Sequence, residues 1–280
     1  MTPPTARRSV GAASAELGLL VAVVLTLIPI GWLFWTSLKY VKDITSLEGP
    51  PAPTLANYQT LLSGSSEFPT LLLNSIGVVF FTTLLCLIIG TLSAYSLSKF
   101  RWPRVFVVAV LGAALTIQLV PPVALVPAYY EILSRLSLYD SITGLVIVNT
   151  LFNLPFAVFL LKVYFDGIPG DLKDAALVDG CRDFTAFLRV MVPLAAPGIA
   201  AVTILVSVLA WNEFLMALSL TLSPRAQTTT VGIAGYIQEA SVQYGEMSAA
   251  ASLATLPVIV LAAVAHRYIV AGLTGGAIKE

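Results

Sequence analysis

Six runs of predominantly apolar residues, each long enough to cross the roughly 30 Å hydrocarbon core of a bilayer as a helix, constrain this chain more than any other feature. They run from Leu17 to Leu38, Leu72 to Leu97, Val105 to Ala128, Ile142 to Val163, Ala195 to Leu220 and Met247 to Val270. Only 11% of the residues are charged and 58% are hydrophobic, whereas about a quarter of a soluble domain is charged. The reading is an all-α polytopic membrane protein with six transmembrane helices. Pro29, Pro121, Pro122, Pro127, Pro155 and Pro257 fall inside the runs. Neighbouring helices can re-satisfy the carbonyls that proline frees, so these residues predict kinks rather than breaks.

Lys and Arg accumulate on the cytoplasmic face of a membrane protein. An inside N-terminus puts Arg7, Arg8, Lys99, Arg101, Arg104, Lys162, Lys173, Arg182, Arg189, Arg267 and Lys279 in the cytoplasm. Only Lys39, Lys42, Arg135 and Arg225 are then left outside. Both termini are accordingly expected in the cytoplasm. Trp32 and Trp35 near the outer end of the first run, and Tyr129 and Tyr130 after the third, suit the interfacial aromatic belt. The first run is too long for a signal-peptide core and no small-residue cleavage site precedes Lys39, so it reads as an uncleaved anchor.

A formal net charge of zero leaves no basic stripe for phosphates, and no nucleic-acid partner is expected. Cys86 lies mid-span and Cys181 in a cytoplasmic loop, where thiols stay reduced. The segment 39–70 holds Gly49, Pro50, Pro51, Pro53, Gly64 and Pro69 and reads as an ordered external loop with at most a short helix around Leu55 to Leu62.

The phosphate-cradling Gly-x-x-x-x-Gly-Lys-Ser/Thr loop is absent. Any nucleotide hydrolysis must therefore come from another chain. His266 is the sole histidine, beside Arg267 near the inner end of the last run, and reads as an interfacial residue. Asp179 and Asp183 stand four apart. On one helical face that spacing would suit a magnesium-bound diphosphate, as in membrane prenyltransferases, although no second acidic cluster faces it.

The densest charge in the chain lies between the fourth and fifth runs. Pro169 suits a helix entrance, Asp171 can cap the first turn, and the acids there oppose the positive end of the helix dipole. Gly180 suits a left-handed stop. Phe184, Phe187, Leu188 and Met191 then follow the spacing of an amphipathic face, which Pro193 is expected to interrupt. A helix, turn, helix hairpin at the membrane surface results. Small Ala175 and Ala176 would let another protein's backbone approach closely.

With Asp174-Ala175-Ala176, a gap, Gly180 and the downstream Pro193, this stretch resembles the cytoplasmic EAA loop of binding-protein-dependent ABC transporter permeases, with Asp174 where Glu is usual. Further matches resemble the MalG-like carbohydrate permeases: Ser37-Leu38-Lys39, Pro53 to Tyr58, Asn74-Ser75, Ala94 to Phe100, Trp211-Asn212-Glu213-Phe214 and Gly272 to Lys279. The resemblance implies a single permease domain over 1–280, with external loop 39–70 and coupling hairpin 166–192, in the plasma or inner membrane. It implies a sister permease, two copies of an ATPase subunit carrying ATP and magnesium, and an extracytoplasmic substrate-binding lipoprotein. This chain itself would hold no cofactor and perform no catalysis. Asp174, Ala175, Ala176, Asp179 and Gly180 occupy the positions that seat in the ATPase. The tail Gly275 to Glu280 resembles one that also reaches the ATPase, its final Glu280 replacing the usual Gly.

A sugar is bound by hydrogen bonds and aromatic stacking, so polar side chains at membrane depth are the candidates for its pathway. They are Asn149 and Asn153 in the fourth run, Gln118 in the third, and Asn212 and Glu213 within the fifth. The two asparagines suit either interhelical hydrogen bonds or the pathway. Glu213, costly in lipid, should face a cavity or the partner chain. The scarcity of charge in the spans favours a neutral solute over a polyamine or a glycerol phosphate.

Overall fold

Helices occupy every apolar run, because in a bilayer the backbone must pair within its own segment. The computed structural model describes residues 10–40, 44, 52–237 and 242–276, with side chains from 15 to 264 within those ranges. Arg7, Arg8, Lys42, Gly49, Pro50, Pro51, Lys279 and Glu280 lie outside the described residues, as do the side chains of His266, Arg267 and Gly272 to Gly276. The elements are α1 (Val10–Ser37), α2 (Ala56–Leu62), α3 (Phe68–Lys99), α4 (Arg104–Gln118), α5 (Pro122–Arg135), α6 (Ile142–Asp166), α7 (Asp171–Val178), α8 (Asp183–Ala186), α9 (Val192–Trp211), α10 (Leu215–Leu220), α11 (Thr229–Ala234) and α12 (Tyr244–Gly276). Among the described residues, five helices suffice by length and composition to cross a membrane, and six if a bent pair counts as one span.

That bent pair corrects the third run. Val105 to Ala128 is not one helix: α4 ends at Gln118, α5 begins at Pro122, and the two meet at 97°. Pro121 and Pro122 both lack an amide hydrogen, and a proline drives the residue before it out of helical conformation. The fifth run is corrected at both ends. Its apolar helix starts at Asp183 and stops at Trp211, with Asn212 to Phe214 separating it from α10. Pro193 does not interrupt this helix. A π-helical turn, Phe187–Met191, lies directly ahead of it, and the changed pairing register absorbs the proline without a break.

The chain forms two compact units, Met1–Ser66 with Tyr236–Leu253 and Glu67–Gly235 with Ala254–Glu280. In the first, α2 secures the carbonyl end of α1. Asn57 Nδ2 donates to the carbonyls of Ser37 and Lys39 at 2.8 and 2.9 Å, and Ser37 Oγ pairs with the Tyr58 hydroxyl at 2.8 Å. Carbonyls at a helix end have no partner within the helix, so this loop supplies them. Lys39 Nζ lies over the rings of Trp32 and Trp35.

In the second unit α3, α6 and α9 form the core around Cys86, Ala94, Ala157, Leu161, Phe165, Met191, Val202 and Val206. Small residues bring the helices close, since helix association in lipid relies on packing. A side chain at Gly90 would meet Leu161 at 3.3 Å and Ala157 at 3.5 Å, and one at Gly198 would enter the Tyr164 ring. A second cluster joins Val78, Leu133, Leu145, Val148, Met216 and Leu220. There Asn74 Nδ2 donates to the carbonyls of Pro224 and Gln227, both at 2.9 Å. Ser75 Oγ accepts from the Thr229 amide at 2.7 Å.

Candidate functional site

The hairpin between α6 and α9 is built by local rules. Asp171 and Asp174 stand in the first turn of α7, where carboxylates oppose the helix dipole. No side chain caps that end; Gly170 is the N-cap, so the capping expected of Asp171 is replaced by this dipole contact. At the far end Gly180 adopts φ +88°. Its amide donates to the Leu177 carbonyl at 3.1 Å, and that of Cys181 to Ala176 at 3.0 Å. This is a Schellman stop, and the left-handed residue it needs is the glycine the sequence supplies.

One hydrogen bond ties the start of the hairpin to α3: Lys99 Nζ, in the last turn of α3, donates to the Ile168 carbonyl at 2.6 Å. Lys162 Nζ pairs with Asp166 at 2.6 Å within the last turns of α6. Within α7 only Lys173 and Ala176 are buried. Asp174, Ala175, Asp179 and Gly180 are exposed, and Val178 is 88% exposed. Of the paired alanines, Ala175 is exposed, while Ala176 packs inward. Of the predicted amphipathic face, Phe187 and Met191 are buried, and Phe184 and Leu188 are exposed.

The premise of a magnesium site is overturned. Asp179 is the C-cap of α7 and Asp183 opens α8, so the Gly180 turn separates them and they share no helix face. Asp183 instead pairs with Lys173 Nζ at 3.0 Å. No three His, Cys, Asp or Glu side chains come together as metal ligands among the described residues.

The membrane-depth candidates do not form one cluster. Asn149 and Asn153 are buried, and each Nδ2 donates to the carbonyl four residues back, of Leu145 and Asn149, at 3.0 and 2.8 Å. These are bonds within α6, not between helices, and both side chains lie inside the packing. Gln118, the last residue of α4, donates to the Phe152 carbonyl at 2.5 Å. Asn212 is exposed at the end of α9, its Nδ2 on the Val208 carbonyl at 2.8 Å. Glu213 is half-buried in the break before α10. Its carboxylate accepts from the amides of Met216 and Ala217 at 2.6 and 3.0 Å, and its carbonyl accepts from Thr230 Oγ1 at 2.9 Å. Both oxygens thus satisfy amides in the first turn of α10.

Two residues escaped the sequence reading. Lys173 is 8% exposed with its Nζ 4.2 Å from the Phe100 ring centre and 5.7 Å from that of Tyr95. Nothing in the spacing of Tyr95, Phe100 and Lys173 points to that contact. Asp140 accepts from the amides of Leu222 and Ser223 at 2.8 and 3.0 Å and from Ser223 Oγ at 2.7 Å. Its φ of 51° is one that aspartate tolerates better than most residues, a weak signal for such a turn.

The chain is 38% identical to the trehalose transport system permease protein SugB of Mycobacterium tuberculosis, covering 90% of this chain and 92% of that one. It is 36% identical to the sulfoquinovosyl glycerol transport system permease protein SmoH of Agrobacterium fabrum, covering 90% and 89%. With the trehalose/maltose transport system permease protein MalG of Thermococcus litoralis it shares 31% identity over 94% and 95%. Its fold matches a chain of a bacterial ABC transporter involved in alginate import, with a TM-score of 0.78 and 24% identity over 95% and 99% of the two chains. Residues 86–275, which contain α6, the hairpin and α9, match the family described as binding-protein-dependent transport system inner membrane component. By this match and by the extent of its similarity to those permeases, the chain belongs to the family of binding-protein-dependent transport system inner membrane components.

Proposed function

We propose that this chain is one permease subunit of an ATP-driven sugar importer in the cell membrane. In this reading it pairs with a sister permease and rests on two copies of an ATPase subunit. An extracytoplasmic binding protein delivers a mono-, di- or oligosaccharide. ATP and magnesium belong to the ATPase, and this chain transmits and gates. The observation that carries the reading is the hairpin: a rigid, Schellman-stopped helix whose water-facing side shows Asp174, Ala175, Asp179, Gly180 and the apolar Val178. An apolar side chain at the tip of a charged loop is the kind of group a protein partner covers.

The relatives named for trehalose, sulfoquinovosyl glycerol and maltose support a sugar as the cargo, as does the scarcity of charge in the spans. Gln118, Asn212 and Glu213, at or near the breaks between helices, are the side chains of this chain proposed for the pathway. Asn149 and Asn153 are assigned to packing. Closure of the ATPase pair would move the hairpin as a body, and a packed helix responds by shifting rather than by deforming.

Affinity purification of the tagged chain from its own membranes, with identification of every co-purifying protein, tests the proposal. Recovery of an ATPase, a second permease and a binding protein is expected, and the binding protein can then be screened against sugars. Recovery of the chain alone would overturn it.

A further inference from the structure

The hairpin is strung between α6 and α9, yet its polar grips are on a third helix. An eight-residue helix has little stability of its own, so the orientation of α7 depends on what its side chains hold. Only two of them are buried, Lys173 and Ala176, and an alanine gives little purchase. Burying an ammonium is unfavourable unless it is compensated. The Asp183 carboxylate at 3.0 Å compensates only in part, because its side chain is 55% exposed and solvent screens such pairs. The remainder comes from the ring faces at the inner end of α3, Phe100 at 4.2 Å and Tyr95 at 5.7 Å, whose negative quadrupoles attract a cation. Tyr95 is itself held by Phe165 at 5.8 Å and Phe187 at 4.8 Å between ring centres. Lys99, one turn further along α3, grips the start of the hairpin at Ile168.

We infer that Lys173 is a positioning residue for transport: seated on Phe100 and Tyr95, it locks α7 to the inner end of α3. Displacement of the hairpin is thereby delivered to α3 as well as to the two helices that carry it. This rests on the coupling reading above. The cation is essential to the seat, because a carboxylate in its place would be repelled by the same ring faces.

The test uses the whole importer in proteoliposomes and measures ATP hydrolysis and sugar taken up per ATP. Lys173→Ala, and Phe100→Leu as a variant that keeps the ion pair, are expected to retain the ATPase and its hydrolysis while sugar per ATP falls about 5-fold, the scale of losing one partly exposed cation–ring contact. Lys173→Arg should restore the ratio to within about 2-fold, since guanidinium also sits on rings. The charge exchange Lys173→Asp with Asp183→Lys should stay uncoupled. An unchanged ratio in Phe100→Leu, or recovery in the charge exchange, would overturn the assignment by reducing the contact to packing or to a plain ion pair. Failure of the coupling reading itself would look different: the wild-type chain would bring no ATPase with it.

Discussion

The side-chain amide of Gln118 donates to the main-chain carbonyl of Phe152 at 2.5 Å, joining the last turn of α4 to the middle of α6. Phe152 lies three residues before Pro155, whose missing amide leaves the carbonyl of Leu151, the neighbour of Phe152, without its helical donor and whose ring crowds that turn. In hydrocarbon such carbonyls have no water to turn to. One hydrogen bond thus ties the 97° bend to the proline-disturbed turn. Gln118→Leu is expected to lose about 1 kcal/mol of stability, the net worth of such a bond, and Gln118→Asn, one methylene too short, should lose as much. Both are checked by thermal melting of the purified chain in detergent, where an unshifted transition would show the bond to be idle.

Asp140 organises a turn outside the spans. Burial works against its ionisation, but the Ser223 hydroxyl, the amides of Leu222 and Ser223, and Arg225 outweigh it and hold the carboxyl at about 2. The folded value lies below the ordinary one near 3.8, so the stabilisation is fully present above about pH 4 and fades as pH falls towards 2. Amide exchange at Leu222 and Ser223, corrected for intrinsic rates, should be flat from pH 5 to 8 and accelerate below about pH 4. In Asp140→Asn, which tolerates the positive φ, exchange should be faster throughout and lose that acid dependence. Equal protection in both proteins would refute the turn's reliance on the carboxylate.

The apolar runs made the helical architecture legible, because about twenty apolar residues admit few structures in a bilayer. The short helix within residues 39–70 and the left-handed stop at Gly180 were also legible, each set by local chemistry. Run length failed where the chain stays apolar through a change of direction. Leu119, Val120 and the two prolines are as hydrophobic as a straight span, and Leu215 to Leu220 continue the fifth run in composition although the helix has already ended at Trp211. Site residues held by contacts distant in sequence were hidden for the same reason. Lys173 on Phe100, and Asp140 on Ser223, are pairings of tertiary origin that leave no period or motif behind.

Glu213 and Asn153 make opposed predictions from the same residue class. Glu213 caps α10 with both carboxylate oxygens, so Glu213→Ala leaves two amides without their acceptor and should cost about 1–3 kcal/mol. Uptake is expected to fall with it, while Glu213→Gln, which keeps one acceptor oxygen, should lie between. Asn153 bonds within its own helix, so Asn153→Leu, with the same number of side-chain heavy atoms and the same branching, should leave uptake within about 2-fold of wild type. Radiolabelled sugar uptake in cells carrying each variant at equal membrane abundance decides both. A large loss in Asn153→Leu would return that asparagine to the pathway.

Gly180 is where local backbone chemistry and proposed function meet most directly. A side chain there would touch nothing within 4 Å, so its φ of +88° is the only obstacle to substitution. Forcing another residue into that region costs about 1–2 kcal/mol, and a β-branched one more. The local stop would then unwind and α7 would lose its orientation, while the spans, held by their own packing, would not. Gly180→Val is therefore expected to insert normally and to appear at wild-type level in membranes, yet to bring down less of the ATPase and to fail in uptake. Gly180→Asn, which enters left-handed backbone more readily than most residues, should retain most of both. The comparison is made by co-purification and uptake in parallel. If Gly180→Val transports normally with its ATPase attached, the hairpin's exposed side is not what the ATPase reads.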